Sequence, residues 1–194
     1  MRALILQGSE KPGALPDNVT AILTMVLADQ GWQTDLCNLR ELDIAPCMGC
    51  FGCWTRTPGI CMINDYASEI ARLMVKSSLM ALVTPVTFGG YSSELKKALD
   101  RLIPNILPFF TEVNGEIHHL PRYDRYPALL ALGTLPQKDP EAEEIFSHLV
   151  SRNAINTNSP AHTSLFIYEH QTPDEMKEQI SRALIIMGYS DERT

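Results

Sequence analysis

The sequence predicts an α/β fold, a three-layer sandwich in which a five-stranded parallel sheet is covered by helices on both faces. Two observations carry this prediction. Short apolar runs, which are typical of buried strands, alternate along the chain with segments whose apolar residues recur at helical spacing. Turn and helix-capping residues separate these segments, and this alternation indicates a parallel sheet with right-handed connections.

Each element has its own signal. The predicted strands are, in chain order, Arg2–Gln7, Gln33–Asn38, Leu79–Val83, Ala128–Leu132 and Leu165–Tyr168. A helix is expected after each strand, and the first four are expected to begin near Asp17, Asp65, Ser92 and Asp139, whose side chains are good N-caps. The capping box that starts at Thr172 opens the fifth helix, which is expected to run to about Met187.

The length of 194 residues fits one domain over residues 1–194. Two segments look like insertions into it: a cysteine loop at about 46–62 and a hairpin excursion at about 111–126, where Asn114-Gly115 is a tight-turn signal. A candidate ligand loop after the first strand favours the strand order 2-1-3-4-5. That order places a ligand beyond the carboxyl ends of strands 1 and 3.

The charge balance excludes several classes of partner. Sixteen Lys and Arg face 23 Asp and Glu, a formal net charge of −7, so we expect binding neither to nucleic acid nor to an anionic membrane. No apolar run reaches the roughly 18–20 residues of a membrane span, and the N-terminus lacks the pattern of a signal peptide. We therefore expect a cytoplasmic protein.

Four of the five cysteines fall within a short segment, as Cys47, Cys50, Cys53 and Cys61. In a reducing compartment such a cluster indicates metal ligands or catalysts rather than disulfides. Four thiolates hold either an iron–sulfur cluster or tetrahedral zinc, and a compact run with one returning cysteine favours iron–sulfur. The alternative is a cysteine-rich loop that holds no metal.

Two loops at the carboxyl edge of the predicted sheet could bind a ligand. After the first strand, Ser9, Lys11, Asn18 and Thr20 could donate hydrogen bonds or charge to a phosphate, or the segment is an ordinary strand–helix turn. After the third strand, six loop residues beyond Thr84 could bring backbone amides and aromatics to a flat ring, or form only a long loop with a turn. These six are Pro85, Val86, Thr87, Phe88, Gly89 and Gly90.

With these motifs the chain resembles the NADPH-dependent FMN reductase superfamily, which has a flavodoxin-like fold, and within it the iron–sulfur flavoprotein branch. The resemblance rests on Gly8-Ser9, on the run from Cys47 to Cys61, on Pro85–Gly89, and on Leu95-Lys96 with Asp100-Arg101. It implies FMN, with its phosphate on the first loop at Ser9, Lys11, Asn18 and neighbouring amides, and with its isoalloxazine ring along Pro85–Gly90.

The resemblance also implies a [4Fe–4S] cluster on Cys47, Cys50, Cys53 and Cys61, and a homo-oligomer, dimer or tetramer, with flavin near a subunit interface. The expected function is an electron-transferring flavin-dependent oxidoreductase whose electron donor is NAD(P)H or a ferredoxin. We expect no side-chain acid–base pair to be essential, because the redox chemistry belongs to the cofactors.

Two other functions stay open. Glu10 and Lys11 stand where the family usually has Pro-Arg, which supports a cofactor-poor or zinc-binding interaction protein on a flavodoxin-like scaffold. The other is a one-electron carrier without a substrate of its own. Bound zinc without flavin would mark the first, and fast exchange with a ferredoxin but slow turnover with NAD(P)H would mark the second.

Overall fold

The computed structural model describes residues 1–189, so residues 190–194 of the predicted domain lie outside the described residues. Its strands are β1 (Arg2–Gln7), β2 (Gln33–Asn38), β3 (Leu79–Pro85), β4 (Ile106–Val113), β5 (Glu116–Pro121), β6 (Ala128–Leu135) and β7 (His162–Tyr168). Its helices are α1 (Leu15–Asp29), α2 (Gly52–Thr55), α3 (Ala67–Lys76), α4 (Ser93–Asp100), α5 (Pro140–Asn156) and α6 (Pro173–Ile186).

Five strands form one parallel sheet in the order β2-β1-β3-β6-β7. Counted within the sheet, this is the predicted order 2-1-3-4-5, and the predicted α/β architecture is confirmed. The three central strands are almost wholly buried and apolar, because helices cover both of their faces. Alternate residues face opposite sides, so Leu4 and Leu6 pack in one core and Ala3 and Ile5 in the other.

Helix starts follow the capping signals at three of the five predicted places. The side chains of Ser92, Asp139 and Thr172 each accept a backbone N–H in the first turn of the helix that follows, and Thr172 forms the full capping box with Glu175. The prediction that Asp17 caps the first helix is wrong. That helix begins at Leu15, because Pro16 suits the first turn, where no intrahelical donor is needed.

The second predicted cap is displaced by one residue. The residue before α3 is Tyr66, while Asp65 lies one position earlier and still accepts the Ala67 N–H through Oδ1 at 3.0 Å. The carboxylate therefore assists the helix start but is shared with other donors.

The hairpin excursion begins earlier than predicted. Strands β4 and β5 pair from Ile106 to Pro121, around the predicted turn at Asn114-Gly115, where both residues have positive φ. The predicted start at about 111 is too late, because the apolar segment that begins at Ile106 also pairs. Trp54 of the cysteine loop contacts the hairpin near its first residue. Its Nε1 donates to the Ile106 carbonyl at 3.0 Å, and its ring lies 4.8 Å from that of His119.

None of the helices within residues 1–189 combines the length and the apolar character that crossing a membrane requires.

Candidate functional site

A cleft of about 320 Å³ lies between the loops that follow β1 and β3. These strands are parallel neighbours, so the loops after them meet at the same edge of the sheet. Of the predicted ligand residues, the structure brings Ser9, Lys11, Pro85 and Thr87 together here. Sequence reasoning did not assign Glu10, Ala14, Pro16 and Ser92 to the site, and they complete the lining.

Gly8 lets the first loop approach α4 closely. Its N–H donates to the Val83 carbonyl at 2.8 Å, and its carbonyl accepts the Ser92 hydroxyl at 2.5 Å. A Cβ on residue 8 would lie 2.7 Å from the Cβ of Leu95, closer than real Cβ atoms come. Glycine is therefore required where the first loop approaches the start of α4, next to the cleft.

The donors of Ser9 are already engaged. Its N–H donates to Oε1 of Gln7 at 3.2 Å, and its hydroxyl donates to the Lys11 carbonyl at 2.7 Å. An incoming phosphate would therefore exchange partners with this loop. The exposed Lys11 ammonium supplies positive charge, while the Glu10 carboxylate, which accepts the Ser93 hydroxyl at 2.7 Å, supplies negative charge.

Asp17 organises the far side of the first loop. Its carboxylate accepts the Gly13 N–H at 2.7 Å and the Arg40 guanidinium at 2.8 Å. Burial acts to raise the pKa of Asp17, but the Arg40 and Gly13 hydrogen bonds hold it below its usual value. The other two predicted phosphate ligands are not in the cleft: Asn18 is exposed on α1, and the Thr20 hydroxyl donates to the Pro16 carbonyl at 2.7 Å.

The loop after β3 forms a tight turn. Thr87 and Gly90 exchange backbone hydrogen bonds of 2.9 and 2.8 Å, and both Phe88 and Gly89 between them have positive φ. The turn is fastened to the sheet by the Val86 N–H, which donates to the Thr134 carbonyl at 3.0 Å. The side chain of Phe88 is wholly exposed at the tip. Left-handed conformations of bulky residues are rare and cluster at functional sites, so Phe88 is a candidate for contact with a ligand.

The four clustered cysteines line one small apolar cavity of about 20 Å³. Left-handed conformations at Gly49 and Phe51 turn the chain tightly between them. Cys53 is buried on α2, and burial raises the pKa of its thiol. Within residues 1–189 no group of three or more His, Cys, Asp or Glu side chains is arranged to hold a metal ion.

A buried ion pair borders this cavity. Arg101, at the end of α4, binds Asp65 at 2.7 Å, and both side chains are almost wholly inaccessible to solvent. Burial acts to raise the pKa of Asp65, but hydrogen bonds from Arg101 and Ala45 hold it below its usual value. The sequence predicts Asp65 only as an N-cap. Nothing in the local sequence around Asp65 indicates that it pairs with an arginine at the end of another helix.

A second cavity of about 390 Å³ lies beneath the sheet, between α4 and α5. Its floor is apolar and includes Met80, Leu82 and Leu129 from the sheet, while Asn153 borders it from α5. Cys47 lines both this cavity and the smaller one. No local motif predicts it, because its wall is assembled from side chains far apart in the sequence.

Comparison with known proteins now identifies the family. Residues 1–118 match the NADPH-dependent FMN reductase family. The chain belongs to that family. This confirms the resemblance seen in the sequence. An iron-sulfur flavoprotein of Methanocaldococcus jannaschii is 31% identical over 104 residues, which cover 54% of this chain and 53% of that protein.

One further curated relative and one solved structure are similar to the chain. An iron-sulfur flavoprotein of Methanosarcina thermophila is 27% identical over 103 residues, 53% of each chain, so the matched segment spans about half the length of these curated relatives. The solved NAD(P)H:quinone oxidoreductase from Methanothermobacter marburgensis superposes with a TM-score of 0.71 at 12% identity, covering 94% of this chain and 96% of that one. This structural likeness shows the fold.

Proposed function

We propose that this member of the FMN reductase family is an FMN-dependent oxidoreductase that transfers electrons between a reduced donor and an acceptor. The observation that carries the proposal is the cleft at the strand switch point, lined by the first loop and the β3 loop. Crevices at this place in open parallel sheets are the usual ligand sites. When bound, FMN would supply the redox chemistry, and NAD(P)H or a ferredoxin is the proposed donor.

The residues present fit FMN in different ways at the two ends of the cleft. Lys11 would attract the phosphate at the first loop, and the Ser9 hydroxyl would turn from the Lys11 carbonyl toward it. At the other end the turn occupies the N–H groups of Thr87 and Gly90. The N–H groups of Phe88 and Gly89 are therefore the donors that we propose for the ring, with the exposed Phe88 side chain covering one edge.

Comparing FMN with riboflavin tests where the phosphate lies, because riboflavin lacks it. Lys11→Gln should weaken FMN binding and Glu10→Gln should strengthen it, each about 2- to 5-fold, as expected for exposed charges. Riboflavin affinity should stay unchanged in both variants. Equal effects on the two ligands, or none on either, would place the phosphate elsewhere.

We further propose a [4Fe–4S] cluster on Cys47, Cys50, Cys53 and Cys61. The proposal is supported by the donor set: all four cysteines line one cavity, which the buried Arg101 also lines, and four thiolates are the usual ligands of such a cluster. Two curated relatives are named iron-sulfur flavoproteins, which also supports the proposed cluster. Cys50→Ser should abolish the cluster absorbance and lower iron and sulfide content while the protein stays folded; unchanged iron and sulfide would refute the ligand set.

Exposed apolar side chains on the hairpin support a homo-oligomer. Phe109, Phe110 and Ile117 are each more than 60% exposed, and Phe110 and Ile117 share one face of the hairpin, because Ile117 pairs with Glu112, two residues beyond Phe110. Exposed apolar side chains that share a face are typical of an interface. We propose that β4 and β5 carry a subunit contact. Phe110→Ser should lower the molar mass measured by light scattering in solution, whereas the wild-type mass in that variant would place the interface elsewhere.

One observation favours a second function. Both donors of Ser9 are satisfied within the first loop, as expected if the chain were a cofactor-poor or zinc-binding interaction protein that never binds phosphate there. A colourless purified protein that contains zinc and binds FMN no more tightly than riboflavin would support this alternative.

A further inference from the structure

The guanidinium of Arg101 is almost completely buried. Its side chain is 1% exposed, and a buried charge is tolerated only when it is paired and hydrogen-bonded. Asp65 provides the pair through two parallel hydrogen bonds, Nη1 to Oδ2 at 2.7 Å and Nη2 to Oδ1 at 2.8 Å. This fork geometry is specific to arginine, because lysine carries all its donors on one atom.

The same ion pair ties together the two ends of the cysteine loop. Arg101 Nη1 donates to the Ala45 carbonyl at 2.6 Å and Nη2 to the Ile63 carbonyl at 3.3 Å. Asp65 Oδ2 in turn accepts the Ala45 N–H at 3.0 Å. Ala45 lies two residues before Cys47 and Ile63 two residues after Cys61. The pair therefore fixes the positions from which the first and last thiols enter the cavity.

One donor of Arg101 is left without a partner. Its Nε atom is buried and makes no hydrogen bond within the described residues, although the rest of the guanidinium is fully engaged. The side chain lines the cavity that holds the four cysteines. Buried unsatisfied N–H groups are rare and unfavourable, so this one requires an explanation.

We propose that Arg101 is a positioning residue for the sulfur centre. Through Asp65 it holds both ends of the cysteine loop, and its Nε–H donates a charge-assisted hydrogen bond to a sulfur of the bound cluster. Hydrogen bonds to cluster sulfurs and nearby positive charge raise the reduction potential. The inference rests on the proposed cluster, but it concerns a residue outside the ligand set.

Two variants separate this role from a merely structural one. Arg101→Lys keeps the charge but loses the fixed Nε–H, so the midpoint potential should fall. Asp65→Asn leaves Nε in place and removes a compensating negative charge, so the midpoint potential should rise. A structural effect alone would shift the midpoint potentials of both variants in the same direction, or would leave both unchanged.

A matched control lies against the same loop. Arg122 packs over Gly59, 3.5 Å from the position of a Cβ there, and its Nε already donates to the Pro104 carbonyl at 2.8 Å. Arg122→Lys should therefore leave the potential unchanged. The potentials are measured by a redox titration followed by electron paramagnetic resonance, at matched iron and sulfide content.

The outcomes are distinct. Opposite shifts in the Arg101 and Asp65 variants support the proposal; a wild-type potential in Arg101→Lys at full iron content overturns it. Wild-type protein without iron and sulfide refutes the proposed cluster and, with it, the bond from Nε. The loop-holding role is then decided on the metal-free chain by limited proteolysis: faster cleavage within 46–62 in Arg101→Lys than in Arg122→Lys supports it, and equal cleavage overturns it.

Discussion

Gly89 is the most constrained residue of the β3 loop, and replacing it with alanine tests how this loop is held. Its φ is +74°, a conformation in which an L side chain is strained. A Cβ there would also lie 2.6 Å from Cγ2 and 2.8 Å from Cβ of Ile145 on α5. The substitution therefore combines a backbone penalty with a steric clash.

The two penalties can be estimated separately. The left-handed conformation costs an alanine about 1–2 kcal/mol, and overpacking against a neighbouring side chain adds about 1–3 kcal/mol. Gly115→Ala isolates the first, since its φ is +82° and no atom lies within 4 Å of the added Cβ. Gly90→Ala should change stability by less than about 0.5 kcal/mol, because its φ is not positive and its nearest contact is an ordinary 3.5 Å.

Urea unfolding of the three alanine variants gives their free energies of unfolding, and FMN titration shows whether each substitution changes FMN affinity at the cleft. Gly89→Ala should be the least stable and should bind FMN more weakly, because its turn is pushed away from α5. Adding Ile145→Ala should recover the steric part only. A Gly89→Ala variant no less stable than Gly115→Ala would show that Ile145 does not restrict this position.

Three further predictions concern single groups. Burial raises the pKa of Cys37 to about 11, so iodoacetamide at pH 8 should alkylate exposed Cys47 in the metal-free chain and spare Cys37; equal rates would contradict this. Arg2 holds the pKa of Asp35 below its usual range, so this ion pair stabilises the fold above about pH 4 and loses its effect as pH falls through the lowered value. Asp35→Asn should therefore weaken urea resistance at pH 7, and its difference from the wild type should shrink as the pH falls below about 4. Thr172→Ala removes a capping box and should cost about 1 kcal/mol in thermal unfolding; an unchanged melting temperature would show that the cap is dispensable.

Much of the fold could be predicted because its signals are local. Buried strands such as β3 are continuous apolar runs, and the cap at Thr172 lies within four residues of its partner. The N-terminus of α1 was missed for a physical reason: Asp17 has the composition of a cap, yet its carboxylate is used by Gly13 and Arg40 instead. The spacing of residues in the sequence does not show that a distant side chain will compete with the helix N-terminus for the Asp17 carboxylate.

In the candidate site, too, the residues that belong to continuous motifs could be predicted, and those that meet only in the folded structure could not. The motif around Cys47 and the β3 loop are continuous in sequence, so their residues could be named in advance. The Arg101–Asp65 pair joins positions 36 residues apart, and the cavity beside Cys47 has walls from three helices and the sheet. Such sites exist only after packing, which is why neither was anticipated.

An absorbance spectrum of protein purified without oxygen, combined with iron, sulfide and flavin analysis after heat release, tests directly whether the protein carries FMN and the proposed cluster. We expect flavin bands with a broad iron–sulfur shoulder, and about four iron and four sulfide per FMN. Flavin without iron would retain the oxidoreductase and refute the cluster. A colourless protein that takes up no FMN would contradict the proposed function itself.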